Sequence, residues 1–346
     1  MELGISTFGE VNPSNGESLS TASFIRMQEL LAEAKLADEV GLDVFALGEH
    51  HRPDFIISSP EVALGAISAI TKQIRLSSSV TVLSSADPVR VYQNFATLDL
   101  LSGGRAEIMA GRGSFTESFP LFGYSLNDYD ALFTEKLDML LQLNREEIVN
   151  WRGEFRPGIR SRGVYPRPYQ HSLPIWLAAG GTPASAARAG RLNLPLALAI
   201  LGGPPSHFVP FVKLYRKSAQ EAGHDPAALP LAINSQFYIA ENSDQAADEF
   251  YPTYEALMNR VGLDRGWSPM TREQFEYMRM PEGPLFVGSA QEVIDKIIYQ
   301  HTLFQHSRFI AQLVKGTITH EQVLRAIRLF GTEVAPAVRE ALGVKQ

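Results

Sequence analysis

Glu49, His50 and His51 stand in an unbroken run. A carboxylate beside two imidazoles offers acid–base chemistry near neutral pH, where histidine ordinarily titrates. Metal binding is the first competing use of these residue types. Barrel metallohydrolases collect His and acidic ligands from several strand ends, beginning with a His-x-His on the first strand. Here the first strand carries Ser6 and Thr7, and His171, His207, His224, His301, His306 and His320 fall in helices, loops or an insertion, so no metal is expected. A surface loop with chance histidines would carry the same letters.

Three further groups of residues bear on chemistry. Gly111-Arg112-Gly113 places a guanidinium between residues lacking side chains, so a phosphate or carboxylate can come close to the backbone. Structural arginines at strand ends share that pattern. Gly180-Gly181-Thr182-Pro183, followed by Ser185, reads as a strand-to-helix turn with Thr182 as N-cap and Pro183 at the first helical position. Its free N–H groups and the helix dipole suit an anion, to which Ser185 adds a hydroxyl. An ordinary turn would look the same. Ser77-Ser78-Ser79-Val80-Thr81 either leaves room for a flat group against the backbone or is a strand with small inward residues.

These groups need strands to hold them, and the hydrophobic pattern supplies eight. Short apolar runs at residues 3–8, 44–47, 74–83, 106–110, 174–179, 195–201, 231–240 and 308–314 alternate with stretches of helical period. The first such stretch places Met27, Leu30, Leu31, Ala34, Ala37 and Val40 on one face and ends at Gly41. Asp87-Pro88 opens another, which Gly103-Gly104 closes. Two segments break the alternation. Residues 148–170 read as an inserted hairpin over one barrel end, and residues 261–284 as an irregular stretch rich in Gly, Pro, Met and aromatics.

The fold class expected is α/β, a single (β/α)8 TIM barrel spanning residues 1–346 with those two insertions. A doubly wound open sheet would want a Gly-rich fingerprint after strand one, where the chain reads Gly9-Glu10-Val11-Asn12-Pro13. In a barrel the C-terminal strand ends face the active site, and every group above lies at or near one.

Composition narrows the function classes. A formal net charge of -7 argues against nucleic-acid binding, whose footprint is basic. The absence of cysteine excludes disulfides, thiolate catalysis and Cys-ligated metal. No basic-then-apolar leader opens the chain, and its most apolar run, residues 192–201, is too short to span a bilayer, so a cytoplasmic protein is expected.

In combination and order, these motifs resemble the bacterial-luciferase-like monooxygenases over essentially the whole chain. Glu49-His50-His51 is similar to the Glu-His-His of luciferase α subunits. Asp87-Pro88-Val89-Arg90, then residues 98–105, then Gly111-Arg112-Gly113 resemble that family's longest shared signature, and Gly180-Gly181-Thr182-Pro183 its FMN-phosphate loop. The resemblance implies that FMN, arriving reduced as a co-substrate, binds with its phosphate on Gly180, Gly181, Thr182 and Ser185 and with Arg112 as counter-charge. The flavin ring would rest on a strand-three bulge with a non-proline cis peptide at Ser79-Val80. His50 would be the acid/base, and Glu49 would orient the ring or the imidazole. The implied reaction passes oxygen from a flavin C4a-hydroperoxide to a small organic substrate.

Eight strand–helix units use up the chain, so either a separate flavin reductase or direct weak reduction by a nicotinamide in the same pocket is expected. The resemblance further implies a homodimer and a lid over residues 261–284 in which Arg265, Trp267, Met270, Phe275 and Tyr277 cover the ring. A static packed loop is the equal alternative. Luciferase α subunits carry a reactive cysteine where this chain has Gly111, a departure that argues against light emission and long-chain aldehyde specificity. Two other readings remain open: a deazaflavin-dependent hydride-transfer enzyme of the same fold, and a flavin-binding protein without turnover.

Overall fold

A computed structural model describes residues 1–13, 16–113 and 115–343, without the side chains of residues 264 and 265. The elements run β1 (Glu2–Thr7), α1 (Leu19–Glu39), β2 (Val44–Leu47), α2 (Pro60–Ile70), β3 (Arg75–Ser78), β4 (Thr81–Val82), α3 (Pro88–Ser102) and β5 (Ala106–Gly111). Next come α4 (Ser118–Phe122), α5 (Tyr129–Arg145), β6 (Ile148–Trp151), β7 (Ile159–Gly163), β8 (Ile175–Ala179), α6 (Pro183–Arg191), β9 (Leu196–Ala199) and α7 (Val209–Glu221). The last are β10 (Leu231–Ile239), α8 (Ser243–Arg265), α9 (Arg272–Arg279), β11 (Phe286–Gly288), α10 (Ala290–Phe304), β12 (Arg308–Leu313), α11 (His320–Leu329) and α12 (Ala335–Ala341).

Eight of the strands close a parallel barrel in the order β1, β2, β3, β5, β8, β9, β10, β12 and back to β1. This is the α/β TIM barrel expected. Local chemistry starts its helices where the sequence reading put them. Asp87 accepts from the N–H groups of Val89 and Arg90, Pro88 fills the first turn of α3, and Gly103 ends it with φ of 67°.

Side chains alternate along each strand, so the barrel interior is filled in layers. On β5 the inward positions are Glu107, Met109 and Gly111; on β12 they are Arg308, Ile310 and Gln312. At the N-terminal end Arg308 spans the barrel to Glu107, at 2.5 and 3.2 Å, with Glu2 at 2.7 Å from its Nε and the Trp176 ring 4.3 Å away. Above that lies a small apolar layer of Met109, Trp176, Ala197, Ala232 and Ile310. The C-terminal end above it is left for the site.

Three sequence expectations change. Residues 74–83 form two strands rather than one, because the ladder is interrupted at Ser79-Val80, where a cis peptide stands as the resemblance implied. Beyond the break the Val82 N–H goes to the Glu49 carboxylate at 2.8 Å. The 148–170 hairpin exists as β6 and β7 but packs on the helical layer. Glu135 of α5 accepts from the N–H groups of residues 154, 155 and 156, and Arg156 bonds Asp87 at the start of α3.

Residues 261–284 are largely helical, since α8 continues to Arg265 and a capping box of Thr271 and Gln274 starts α9. Phe275 is buried against Tyr251 and Tyr254 of α8, which accounts for its aromatic character without a lid. Trp267 and Tyr277 are exposed, Met270 packs against the core, and the Arg265 side chain lies outside the described residues.

Glu29, Glu33 and His320 bring ligand atoms within 4.8 Å of one another. Arg26 donates two bonds to Glu33, at 2.7 and 2.9 Å, and Lys315 stands 2.8 Å from Glu29, which makes the group an ion-pair network. No helix among the described residues is long and apolar enough to cross a membrane.

His306, 1% exposed, sets one dependence of stability on pH. Burial, with a smaller contribution from His301, pushes its imidazole down to about 3. The unfolded chain therefore takes up the proton first, near pH 6.5, and stability falls as pH drops from there toward 3. By pH 5 the loss from this group is about 2 kcal/mol. Urea unfolding at pH 7 and pH 5 should show it. His306→Phe should flatten the slope, and an unchanged slope would exclude the group as its source.

Candidate active site

At the C-terminal end of the barrel lies a cavity of about 320 Å³, within the range of small-molecule sites. Glu49, His50, Ser79, Val80, Arg112, Gly180 and Thr182 line it, along with Met109, Ala178, Ala197, Ala199, Asn234 and Gln312. Its floor is therefore made of small and apolar inward residues from β5, β8 and β9 together with the amides of Asn234 on β10 and Gln312 on β12, the next step of the same alternation.

His50 follows β2 and is 6% exposed. Three aromatic rings crowd it, Phe8 at 4.7 Å, Phe55 at 4.4 Å and Phe115 at 4.7 Å between centroids. Phe8 can come this close because Gly48 has no Cβ; one there would stand 2.1 Å from the phenyl ring. The Nδ1 of His50 is 3.1 Å from Oε1 of Glu117, a residue the sequence reading did not single out. Burial lowers the His50 pKa from its ordinary value, and the Glu117 carboxylate opposes this in part. The ring is thus neutral at neutral pH.

Glu49 serves a different imidazole from the one expected. One carboxylate oxygen is 2.8 Å from His51 Nε2 and the other accepts the Val82 N–H. Residues two apart in an extended segment share a face, so Glu49 pairs with His51 while His50 turns to the opposite side. The consecutive triplet therefore forms two separate carboxylate–imidazole pairs, not one convergent ligand set.

Arg112, which lines the same cavity, draws the second group together. Its Nη2 donates to the Thr182 hydroxyl at 3.2 Å and to the Ser185 hydroxyl at 3.4 Å, and its Nη1 donates to the exposed Asp130 at 2.6 Å. The Thr182 hydroxyl makes no cap to its own helix α6. Gly181, with φ of 105°, sits beside Phe208, and neither it nor Ser185 lines the cavity directly. Burial, and next the positive charge of Arg112, push the Arg188 guanidinium down. An anion beside these two cations would offset both causes. Between the two groups, a Cβ at Gly111 would meet the Val80 side chain at 2.6 Å, so a larger residue there requires Val80 to move.

The Luciferase-like monooxygenase family model matches residues 1–306. The chain belongs to that family. An N-acetyl-S-alkylcysteine monooxygenase of Bacillus subtilis is 29% identical over 78% of this chain and 82% of its own. The crystal structure of monooxygenase RslO1 from Streptomyces bottropensis superposes with a TM-score of 0.85 at 26% identity, covering 97% of this chain and 99% of that one. Two more distant structures share the fold. One is the oxygenating constituent of 3,6-diketocamphane monooxygenase from Pseudomonas putida, solved with FMN (TM-score 0.76, 18% identity, 97% and 98% covered). The other is an F420-dependent secondary alcohol dehydrogenase solved with an F420–acetone adduct (TM-score 0.76, 19% identity, 98% and 99% covered).

Proposed function

We propose that this family member is an FMN-dependent monooxygenase that uses reduced FMN and dioxygen to oxygenate a small organic substrate. The observation that carries the reading is that Arg112 and Thr182 line the same cavity as the buried His50 imidazole, with Ser185 bonded to Arg112 just behind them. Those three side chains, with the backbone of Gly180 and Gly181, would hold the FMN phosphate. The Ser79-Val80 segment would lie under the ring. When bound, reduced FMN supplies the two electrons by which dioxygen is divided between product and water. Phe8, Phe55 and Phe115 keep water from His50, and His50 holds or moves a proton at its Nε2.

A separate reductase would deliver the reduced flavin. Val62 on α2 and Leu100 and Leu101 on α3 are exposed on neighbouring helices, which supports pairing with a second copy of the chain there.

Anaerobic titration with reduced FMN tests the reading. Arg112→Ala removes a charge-assisted contact worth ~1.5–3 kcal/mol, so affinity should fall by about 10- to 100-fold. Saturation by F420 with no uptake of reduced FMN would establish the deazaflavin enzyme instead. Binding of FMN with no oxygenation across aldehydes, ketones and thioethers would favour the flavin-binding protein.

A further inference from the structure

Building on the proposed function, we propose that Glu117 is the positioning residue for His50. Its carboxylate holds the imidazole with the proton on Nδ1, so that Nε2 is the atom that accepts a proton in the site.

Glu117 is placed to do this by two contacts made with the same oxygen. Oε1 lies 3.1 Å from His50 Nδ1 and accepts the backbone N–H of His51 at 3.3 Å. A carboxylate only accepts hydrogen bonds, so the facing ring nitrogen must carry the hydrogen. In the neutral ring the lone pair then belongs to Nε2, which makes no hydrogen bond within the protein among the described residues.

Among the described residues no other carboxylate near the ring is free to take this place. Glu49 is engaged by His51 and Val82. Asp54 is engaged by Arg52 and by Arg260 of α8. These residues are the charged groups around the ring: Glu117 from the loop after β5, Asp54 and Arg52 from the loop after β2, the adjacent Glu49 and His51, and Arg260 behind Asp54. Phe8, Phe55 and Phe115 fill the other directions.

The segment carrying Glu117 is itself pinned. Ser118 and Phe119 are buried, Phe119 stacks on Tyr129 at 5.4 Å, and the Tyr129 hydroxyl donates to the Gly113 carbonyl at 2.6 Å. Glu117 therefore meets His50 from a supported backbone, as a group that fixes a tautomer must. Its charge also favours the imidazolium, against the burial that disfavours it.

The first experiment is 15N NMR of histidine-labelled full-length protein, with Glu117→Gln, Glu117→Asp and Glu117→Ala. The wild-type His50 ring should show the Nδ1–H tautomer at neutral pH. Glu117→Asp should keep that tautomer, whereas Glu117→Gln, which can also donate, should mix the two and move the His50 titration to lower pH. In turnover with reduced FMN and dioxygen, Glu117→Gln should lose about tenfold or more of kcat, part of the ~10²–10⁴ that a positioned acid–base group supplies, with affinity for reduced FMN unchanged. An Nε2–H ring in the wild type, or an unaltered tautomer and titration in Glu117→Gln, would overturn the proposal. If flavin fails to bind, the NMR result stands by itself and the failure falls on the monooxygenase reading.

Discussion

His50→Ala is expected to lower the rate of substrate oxygenation by roughly 10²–10⁴-fold, the contribution of a positioned acid–base group. The reasons lie in the geometry. The ring is buried among three phenyl groups, is neutral at physiological pH, and has its Nδ1 committed to Glu117. Among the described residues the one other imidazole lining the cavity is His51, whose Nε2 is held by Glu49. His50→Gln retains a polar side chain of similar reach but cannot titrate, so it should be almost as slow while binding reduced FMN as the wild type does. An effect confined to KM would mean that His50 binds substrate and does not move a proton.

The pH profile sharpens this expectation. Burial holds the His50 pKa below the ordinary histidine value, so the neutral, proton-accepting form persists to pH values below about 6.5. Wild-type kcat should hold as pH falls through that value and decline only further down, and the residual activity of His50→Gln should lack that limb. The same acid limb at full rate in His50→Gln would assign it to another group.

Features set by local chemistry were legible in the sequence, and those set by distant contacts were not. Asp87-Pro88 and Thr182-Pro183 announce helix starts because the Asp87 cap and the proline of each first turn involve only residues a turn apart, although the Thr182 hydroxyl turns to Arg112 instead of capping. Arg112 and Ser185 could be named separately, each beside a glycine-rich turn, and the barrel brings them within 3.4 Å. Glu117 carried no signal, since the contact that gives it a role spans 67 positions of sequence.

The Glu49 assignment was recoverable in part. Spacing of two along an extended segment pairs Glu49 with His51, and that periodicity was the cue for leaving His50 to a partner from elsewhere. Thr271 and Gln274 likewise spell a capping box, but the glycines and prolines around so short a helix hide it. At Gly111 the letter showed a departure from luciferase α subunits, while the crowding of any Cβ there by the Val80 side chain is tertiary.

Glu107→Ala is expected to destabilise the protein by as much as ~3–5 kcal/mol, because it leaves the buried Arg308 guanidinium with a carboxylate on one edge only. Arg308 and Glu107 are 2% and 1% exposed, and the pair crosses the barrel interior from β12 to β5. The exposed Glu2, at 2.7 Å from Nε, is the one carboxylate left to Arg308 among its described contacts, and it addresses a single edge of the guanidinium. Converting both partners together, Arg308→Met with Glu107→Leu, removes the stranded charge and should recover most or all of the loss, since apolar replacement of a buried pair is often neutral or stabilising. Urea midpoints at unchanged m-value read both effects. The apolar layer of Met109, Trp176 and Ile310 separates the pair from the His50 cavity at the other end of the barrel. Activity per folded molecule should therefore survive in the single and double variants alike. A single variant as stable as the wild type would mean that Glu2 and water at the open barrel end already satisfy Arg308.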